Sequence, residues 1–500
     1  MKKNKNKYNS EICTNDMSFQ DCELAILRKA VDDSESLKKQ QLVKSDEIDR
    51  IIKILEDFLV KKKLICYGGT AINNILPLQD QFYNKDLEIP DYDCFSDKAM
   101  ENAKQLADLY YKKGFTEVEA KAGMHYGTYK VFVNFIPVAD ITLLTPEIFN
   151  NMKKEAITVG GILYAPPNYL RMSMYLELSR PDGDISRWEK VLKRITLLNK
   201  HYPLMGKDCK NVDFQRGMES NIKDEDKLYE VTKNALIDEG VVMFGGLANT
   251  LYSRYMPKKL AHKLSKSPDF DVLAEDAELT ASMIKEKIEQ AGFKKVDVFY
   301  HEKIGEIISD HYEIRVGLET VCFIYTPLAC HSYNTITIDN KVINVATIDT
   351  MLSFYLAFLY SDRKYYDKNR ILCMSQYLFI VQQRNRLAQK GLLRRFSLNC
   401  YGKQETMELM RAEKANKFIE LKSKRNAKEY EEWFLRYVPR NNPNIKKSKL
   451  REKSKTKKIV PKTPELEITP TKSKKKPKKN KRKKTRRKRT RRNQGFFGLF

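Results

Sequence analysis

CYGGTAINNILP at residues 66–77 and DYDCFS at 91–96 form a pattern that returns as MFGGLANTLYS at 243–253 and DFDVLA at 269–274. In each copy a strand-like run meets two glycines, a short helical stretch follows, and an Asp-aromatic-Asp triplet comes roughly twenty residues later. Paired glycines permit a tight turn that brings backbone N–H groups to phosphate oxygens at a helix N-terminus. Carboxylates two residues apart on a strand point to one face. The repeat therefore predicts two copies of one fold, of a type suited to metal-dependent nucleotidyl transfer.

A third carboxylate accompanies the first copy. Asp140 lies in VFVNFIPVADITLL, a β-rich run in which alternation places its side chain beside those of Asp91 and Asp93 if the two strands are neighbours. Three carboxylates predict a site for two divalent ions, Mg²⁺ or Mn²⁺, one activating an attacking hydroxyl and the other steadying a leaving pyrophosphate. We predict that Asp91, Asp93 and Asp140 are both the catalytic residues and the metal ligands.

The second copy lacks this third acid. Aligning the glycines, the Asp pairs and YTP at 325–327 on LTP at 144–146 puts Val321 opposite Asp140, with Glu319 two residues away. The second copy is therefore predicted to be a degenerate domain that keeps the fold and has lost the chemistry.

Two segments are predicted to bind the nucleotide. The glycine turn would cradle the triphosphate. A basic helix presents positive side chains at i, i+3 and i+4 spacing, which suits triphosphate or RNA contacts, although a solvated basic face is the usual meaning of that spacing. The predicted set is Gly68, Gly69, Thr70, Arg187, Lys190, Lys193 and Arg194.

Four segments carry a family resemblance: YGGTAIN (67–73), IPDYDCFS (89–96), PVADIT (137–142) and NYLRMSMYLELSRPDGDISRWEKVLKRITLLNKHYP (168–203). They resemble the nucleotidyltransferase superfamily of DNA polymerase β type and, within it, the poly(A) polymerase catalytic subunits of poxviruses and giant DNA viruses. The sequence departs from the superfamily pattern at Gly69, where a serine is usual, and by an inserted loop at 77–88. By family position, Tyr169, Arg171 and Tyr175 are candidates for the nucleotide pocket.

The resemblance implies a template-independent polynucleotide adenylyltransferase that adds AMP from ATP to the 3′-hydroxyl of mRNA. It implies single-stranded RNA and ATP as partners and a location in the cytoplasm of an infected cell, its viral factory, or the virion. Poxvirus relatives use a partner subunit for processivity and none is visible here, so the second domain, the tail or self-association could substitute, and we expect a homodimer. Preference for ATP rests on the resemblance alone. Two alternatives stay open: another terminal nucleotidyltransferase, for example a uridylyltransferase, and a catalytically inert RNA-binding or virion protein.

Most of the net charge of +27 lies near the C-terminus. Residues 446–493 contain 25 Lys and Arg against three Glu, which leaves 67 basic and 62 acidic residues elsewhere. Such a segment buries too little apolar surface to fold alone, so a disordered tail is predicted. It could tether RNA, act as a localisation signal or solubilise the chain. The terminal GFFGLF is either a docking motif or a tolerated apolar end.

Other classes of site lack a sequence signal. The nine cysteines form no CxxC pair and the six histidines have no zinc spacing, so free thiols in a reducing compartment are predicted. No apolar stretch reaches the ~18 residues that span a bilayer, so no membrane contact is predicted.

These observations predict an α/β (α+β) protein with two tandem nucleotidyltransferase-fold domains, each a mixed sheet flanked by helices. The first would be catalytic and the second degenerate. The predicted layout is an N-terminal extension (1–44), a catalytic domain (45–203), a linker (204–222), a degenerate domain (223–345), a helical region (346–440) and a disordered basic tail (441–500).

Overall fold

A computed structural model describes residues 12–13, 17–43, 45–83, 89–216, 224–258 and 269–441. The predicted tail, apart from its first residue, and the terminal GFFGLF lie outside the described residues. Within these ranges no helix is both long and apolar enough to cross a membrane.

The strands of the first repeat are β1 Ile65–Tyr67, β2 Tyr92–Ser96, β3 Val118–Ala122, β4 Thr128–Val133, β5 Ile136–Leu143, β6 Ile157–Val159 and β7 Ile162–Tyr164. The later strands are β8 Val242–Met243, β9 Phe270–Leu273, β10 Val296–His301, β11 His311–Val316, β12 Glu319–Tyr325, β13 His331–Ile338, β14 Lys341–Ala346, β15 Cys400–Tyr401 and β16 Arg436–Tyr437.

The helices up to the linker are α1 Phe19–Val43, α2 Asp46–Lys62, α3 Gly68–Ile75, α4 Ala99–Lys112, α5 Pro146–Lys154, α6 Pro167–Leu178 and α7 Trp188–His201. The later helices are α8 Glu225–Asp238, α9 Gly246–Ser253, α10 Ala277–Gln290, α11 Ile348–Phe358, α12 Lys368–Arg384, α13 Met407–Leu421 and α14 Lys428–Phe434. Short 3₁₀ helices span Leu78–Asp80, Ile185–Arg187, Gly391–Leu393 and Pro439–Asn441.

The two sheets repeat one topology. Their strand orders are β16-β3-β4-β5-β2-β1-β7-β6 and β10-β11-β12-β9-β8-β14-β13-β15. The order 3-4-5-2-1-7-6 of the first sheet thus returns as 10-11-12-9-8-14-13. Strand directions agree too, since β1 runs antiparallel to β2 and parallel to β7, as β8 does to β9 and β14. The prediction of two tandem copies with mixed sheets and flanking helices is confirmed.

Helix α2 is followed by β1, which ends at the first glycine turn. Ser45 caps it by accepting a hydrogen bond from the backbone N–H of Ile48 at 3.3 Å. Acidic residues fill its first turn and Lys61 and Lys62 its last, which suits the helix dipole. Its apolar stripe is buried, as the helical periodicity of the sequence predicts. The stripe consists of Ile48, Ile51, Ile54, Leu55, Phe58 and Leu59.

Helices α6 and α11, which hold equivalent places in the two repeats, pack against each other. The α6 residues Tyr169, Arg171 and Tyr175 are at most 5% exposed and belong to this packing. The guanidinium of Arg171 donates to the side-chain oxygen of Asn199 on α7 at 2.7 Å. Burial lowers its pKa to about 10, so this cation is held by neutral acceptors in a poorly hydrated place.

The segment after α12 contributes a strand to each sheet. β15 pairs with β13 at the edge of the second sheet, and β16 pairs with β3 at the edge of the first. Tyr437 fixes the last pairing by donating from its hydroxyl to Asp108 on α4 at 2.6 Å. The ring of Trp433 also packs on Tyr126, 4.6 Å between centroids. The segment therefore covers the β3 edge, which would otherwise present unpaired backbone groups.

Six cysteines are paired as disulfides, so the prediction of free thiols is wrong for them. The pairs are Cys13–Cys22, Cys209–Cys373 and Cys330–Cys400. Sequence spacing could not find these pairs, because their members are brought together by the fold; Cys209 and Cys373, for example, are 164 residues apart in sequence.

Alkylation of the denatured, unreduced protein should modify three cysteines, Cys66, Cys94 and Cys322, which are the free ones. Prior reduction should raise this number to nine, as counted by mass spectrometry. Cys373→Ser should lower the free energy of unfolding by about 2–4 kcal/mol, because the long loop closed by the bond no longer restrains the unfolded chain. Nine modified cysteines without reduction would contradict the pairing.

Candidate active site

Neighbouring strands carry the three predicted carboxylates. Asp91 immediately precedes β2 and Asp93 lies in it, while Asp140 lies in β5. β2 and β5 are parallel neighbours, and their register places Asp93 directly opposite Asp140. The juxtaposition expected from strand alternation is therefore confirmed.

The cluster carries uncompensated negative charge. Partial burial raises the pKa of Asp93 to about 7, and the nearby carboxylates of Asp91 and Asp140 add to the effect. The pKa of Asp91 is also raised, by desolvation first and by Asp140 second. Lys130 on β4, which forms an ion pair with Asp140, and Arg187 act against this by lowering the pKa of Asp93. The site thus contains oxygen ligands and a deficit of positive charge, a combination that fits Mg²⁺ or Mn²⁺.

The glycine turn lies against these carboxylates. Gly68 follows β1, opens α3 and has a φ of +72°, where a side chain would be strained. A Cβ on Gly68 would lie 2.7 Å from the Oδ2 atom of Asp93. The turn can therefore approach the acid cluster only because position 68 has no side chain.

Thr70 anchors the turn to the acid cluster. Its hydroxyl donates to the backbone carbonyl of Asp91 at 2.6 Å, and its side chain is buried. The hydroxyl therefore positions Asp91. Of the three residues predicted to cradle the triphosphate, Gly68 and Gly69 can still offer their backbone N–H groups to it at the start of α3.

The predicted basic residues separate into two pairs. The Nη2 atom of Arg194 donates to the hydroxyl of Tyr83 at 2.6 Å and would lie 2.9 Å from a Cβ on Gly69, so this guanidinium borders the glycine turn. Arg187 precedes α7 and forms an ion pair with Glu177 at 3.1 Å, close enough to Asp93 to lower the pKa of that acid.

The two lysines of the predicted basic helix are exposed. Lys193 pairs with Glu189 one turn earlier on α7, at 2.6 Å, and Lys190 is also exposed. The structure therefore brings the two arginines, and not the two lysines, to the acid cluster and the glycine turn.

Sequence reasoning missed two residues of this site. Lys130 was detectable, because it stands on the strand preceding Asp140 and a cross-strand pair of opposite charges is favourable. Tyr83 gave no signal, since it lies in the inserted loop and is placed by backbone hydrogen bonds from Phe82 and Tyr83 to the side chain of Asn73.

The second repeat holds an aromatic ring where the first holds its third acid. β9 and β12 are parallel neighbours whose register places Phe323 opposite Asp271. The alignment through YTP and LTP, which put Val321 there, is wrong by two residues. The reason is that β12 reaches Tyr325 two residues after the paired position, whereas the first repeat reaches Leu144 four residues after Asp140.

An arginine neutralises the acid pair of the second repeat, Asp269 and Asp271. Arg216, from the segment before α8, forms an ion pair with Asp269 and lies 3.5 Å from Asp271. Its backbone N–H donates to Asp269 at 2.8 Å, and its guanidinium lies 4.5 Å from the centre of the Phe323 ring. The two acids raise the pKa of Arg216, and the charge they would offer to a metal ion is already neutralised. This arrangement supports the prediction that the second repeat is degenerate.

Within the described ranges, the group of three ligand-type side chains whose ligand atoms all lie within 4.8 Å of one another is Asp182, Cys330 and Cys400, and not the three aspartates. Its two sulfur atoms are joined in a disulfide and offer no thiolate. It therefore does not compete with the acid cluster as a metal site.

Residues 53–184 match the family model described as poly(A) polymerase catalytic subunit. A protein of African swine fever virus (strain Badajoz 1971 Vero-adapted), provisionally named as such a subunit, is 35% identical over 164 residues, which cover 32% of this chain and 34% of that protein. A provisionally named counterpart from Acanthamoeba polyphaga mimivirus is 30% identical over 158 residues, or 31% of this chain and 26% of that protein. The matched region thus spans about a quarter to a third of the length of these relatives. The resemblance seen in the sequence is confirmed for residues 53–184.

The crystal structure of the Megavirus polyadenylate synthase is similar over nearly the whole chain. The TM-score is 0.69 at 17% identity, with 91% of this chain and 92% of that chain covered. At this identity the likeness shows a shared fold. That fold extends over both repeats, beyond the region matched by sequence.

Asp93→Asn should stabilise the metal-free protein at alkaline pH. The folded state raises the pKa of Asp93 from 3.8 to about 7, so it binds a proton there that the unfolded chain has released, and wild-type stability falls as pH rises between these values. The advantage of the variant should be absent below about pH 4 and reach about 2–4 kcal/mol above pH 7. Thermal unfolding in EDTA measures it, with Asp97→Asn in the following turn as the matched control. Stability curves that stay parallel at all pH values would refute the charge cluster.

Arg216→Met should lower the free energy of unfolding by about 3–5 kcal/mol, because it leaves two buried carboxylates without their cation. Adding Asp269→Asn and Asp271→Asn to this variant should recover part of the loss, since the two unpaired carboxylates are removed while the nearby cation of Arg370 remains. Urea denaturation measures both, with exposed Arg254→Met as the control. A triple variant no more stable than the single one would show that the ion pairs do not matter.

Proposed function

We propose that this chain is a template-independent polynucleotide adenylyltransferase that transfers AMP from ATP to the 3′-hydroxyl of single-stranded RNA. The observation that carries the proposal is the pairing of Asp93 with Asp140 beside the glycine turn, within the segment that matches the poly(A) polymerase catalytic subunit family. The names of the viral relatives support the choice of ATP and of poly(A) as product.

In the proposed reaction the RNA 3′-oxygen forms a bond to the α-phosphorus of ATP, and the bond from that phosphorus to the pyrophosphate oxygen breaks. Two divalent ions, Mg²⁺ or Mn²⁺, held by Asp91, Asp93 and Asp140, would supply Lewis-acid stabilisation of the attacking and leaving oxygens. Asp140, on the neighbouring strand, would lie nearest the attacking hydroxyl and favour loss of its proton.

The chain's other groups would bind and orient the triphosphate. The backbone N–H groups of Gly68 and Gly69 at the start of α3 can approach phosphate oxygens because neither residue has a Cβ. Arg194, held by Tyr83 at the same turn, and Arg187 at the start of α7 offer forked donors to the negative charge of the leaving pyrophosphate.

We also propose that one repeat performs all of the chemistry. Arg216 and Phe323 stand in the second repeat where the first has room for cations and its third acid. That repeat then serves the fold and the binding of RNA. The viral origin of the relatives further supports a location in an infected cell or in the virion.

Primer extension with a labelled RNA, Mg²⁺ and each of the four nucleoside triphosphates separately tests the proposal. Wild type should give long ladders with ATP alone. Asp93→Asn and Asp140→Asn should each reduce the rate by at least about a thousandfold, because each removes a charged ligand from the transition state. Asp97→Asn and the second-repeat triple variant should extend normally.

The alternatives give different patterns. Ladders with UTP would assign a uridylyltransferase. RNA retention without extension by any nucleotide would leave an inert binding protein. Activity that survives Asp93→Asn but not the triple variant would move the chemistry to the second repeat.

A further inference from the structure

A cavity of about 840 Å³ lies on the side of α7 away from the candidate active site. Its walls come from α7, the start of α11, the end of α12 and residues 389–396; we call it the α7–α12 cavity. On α7 it is bordered by Leu192 and Thr196, whereas Arg194 faces the glycine turn. Successive helical residues are rotated by about 100°, which puts Leu192 and Thr196 on the flank opposite Arg194. The cavity is therefore separate from the acid cluster but shares a helix with it.

The cavity has unbalanced positive charge. Of its lining cations, Lys200 pairs with Asp80 and Arg395 with Asp349. Arg386 and Arg394 are exposed, and neither has an ion-pair partner among the residues the structure describes. Two guanidinium groups at one opening favour an anion that accepts forked hydrogen bonds, such as a phosphate.

The wall behind these arginines is firmly held. Arg395 donates from Nε and Nη2 to the two oxygens of Asp349, at 2.9 and 2.7 Å, and the carboxylate is 2% exposed. Gln389 accepts a hydrogen bond from the backbone N–H of Arg395 at 3.1 Å. A pre-formed wall lowers the entropic cost of binding a ligand.

The interior suits a nucleobase. Phe379 and Phe396 border the cavity, and the exposed carboxamide of Gln383 offers both a donor and an acceptor. Phe396 has a φ of +55°, an unfavourable conformation for a bulky residue, and Arg395 lies 4.8 Å from the centre of its ring. Such conformations cluster at ligand-binding sites. The volume falls within the range of about 300–1,000 Å³ that holds a small ligand.

We propose that the α7–α12 cavity binds one nucleotide unit of single-stranded RNA upstream of the 3′ end, with backbone phosphates at Arg386 and Arg394 and a base inside. This inference rests on the proposed function, since it assigns the RNA substrate a path on the second flank of α7. The two flanks are separated by about one helix diameter, 10–12 Å, a gap that a few nucleotides bridge.

The test measures RNA binding separately from catalysis. The full-length double variant Arg386→Ala/Arg394→Ala should bind a fluorescent single-stranded RNA about tenfold more weakly at roughly 0.1 M salt. The slope of log K against log salt should become shallower by about 1.4, because each phosphate contact on a single strand contributes about 0.7. The control, Lys287→Ala/Lys294→Ala, removes the same charge at exposed positions in and after α10 and should change neither quantity. Arg386→Lys/Arg394→Lys keeps the charge and should keep the salt slope, whereas the loss of forked hydrogen bonds should weaken binding, though less than the alanines do.

Kinetics separate this inference from the proposed function. The double alanine variant should raise the KM for RNA about tenfold and leave the KM for ATP unchanged. Wild-type affinity and salt slope in that variant, with extension intact, would overturn the cavity and leave the polymerase. A raised KM for ATP with unchanged RNA affinity would also overturn it. Weakened RNA binding in a protein that extends no primer would support the cavity and refute the polymerase.

Discussion

The parallel pairing of β2 with β5 forces like charges together, and the proposed chemistry of the first repeat depends on that constraint. Backbone register, and not attraction, holds Asp93 opposite Asp140, so the fold must supply compensating positive charge. Lys130 provides part of it from the next strand. Burial, together with the remaining negative charge of Asp91 and Asp140, keeps the pKa of Asp93 near 7, as expected of a site that binds a cation.

The second repeat meets the same constraint in a different way. Strands β9 and β12 keep the register, but Phe323 stands opposite Asp271. The guanidinium of Arg216, from the segment before α8, neutralises the acid pair. A residue of the chain is always present, unlike an ion in solution, so the pair is permanently neutralised. Arg216 thus has two effects, because it neutralises the acid pair and also attaches the segment before α8 to the sheet.

Local sequence patterns predicted many features of this protein. The features that depend on contacts between distant parts of the chain were mostly not predicted. Double glycines, strand alternation and the apolar stripe of α2 are short-range signals, and they located the repeat, the acid cluster and the entry helix. The alignment of the second repeat failed because it relied on a turn, and the two repeats differ in strand length before that turn. Arg216, Tyr83 and the disulfide partners gave no usable signal, since each meets its partners only in the folded chain.

The segment that carries β15 and β16 makes the sheet of the first repeat depend on the second repeat. From the edge of the second sheet the chain continues through α13 and α14 to pair with β3 at the edge of the first. Deleting the second repeat would therefore remove β13, with which β15 pairs. Without that attachment β16 would no longer be held on β3, and the sheet of the first repeat would present a free edge to other chains. A chain without the second repeat would therefore tend to associate with other chains through that edge, so the second repeat contributes to solubility whether or not it takes part in any reaction.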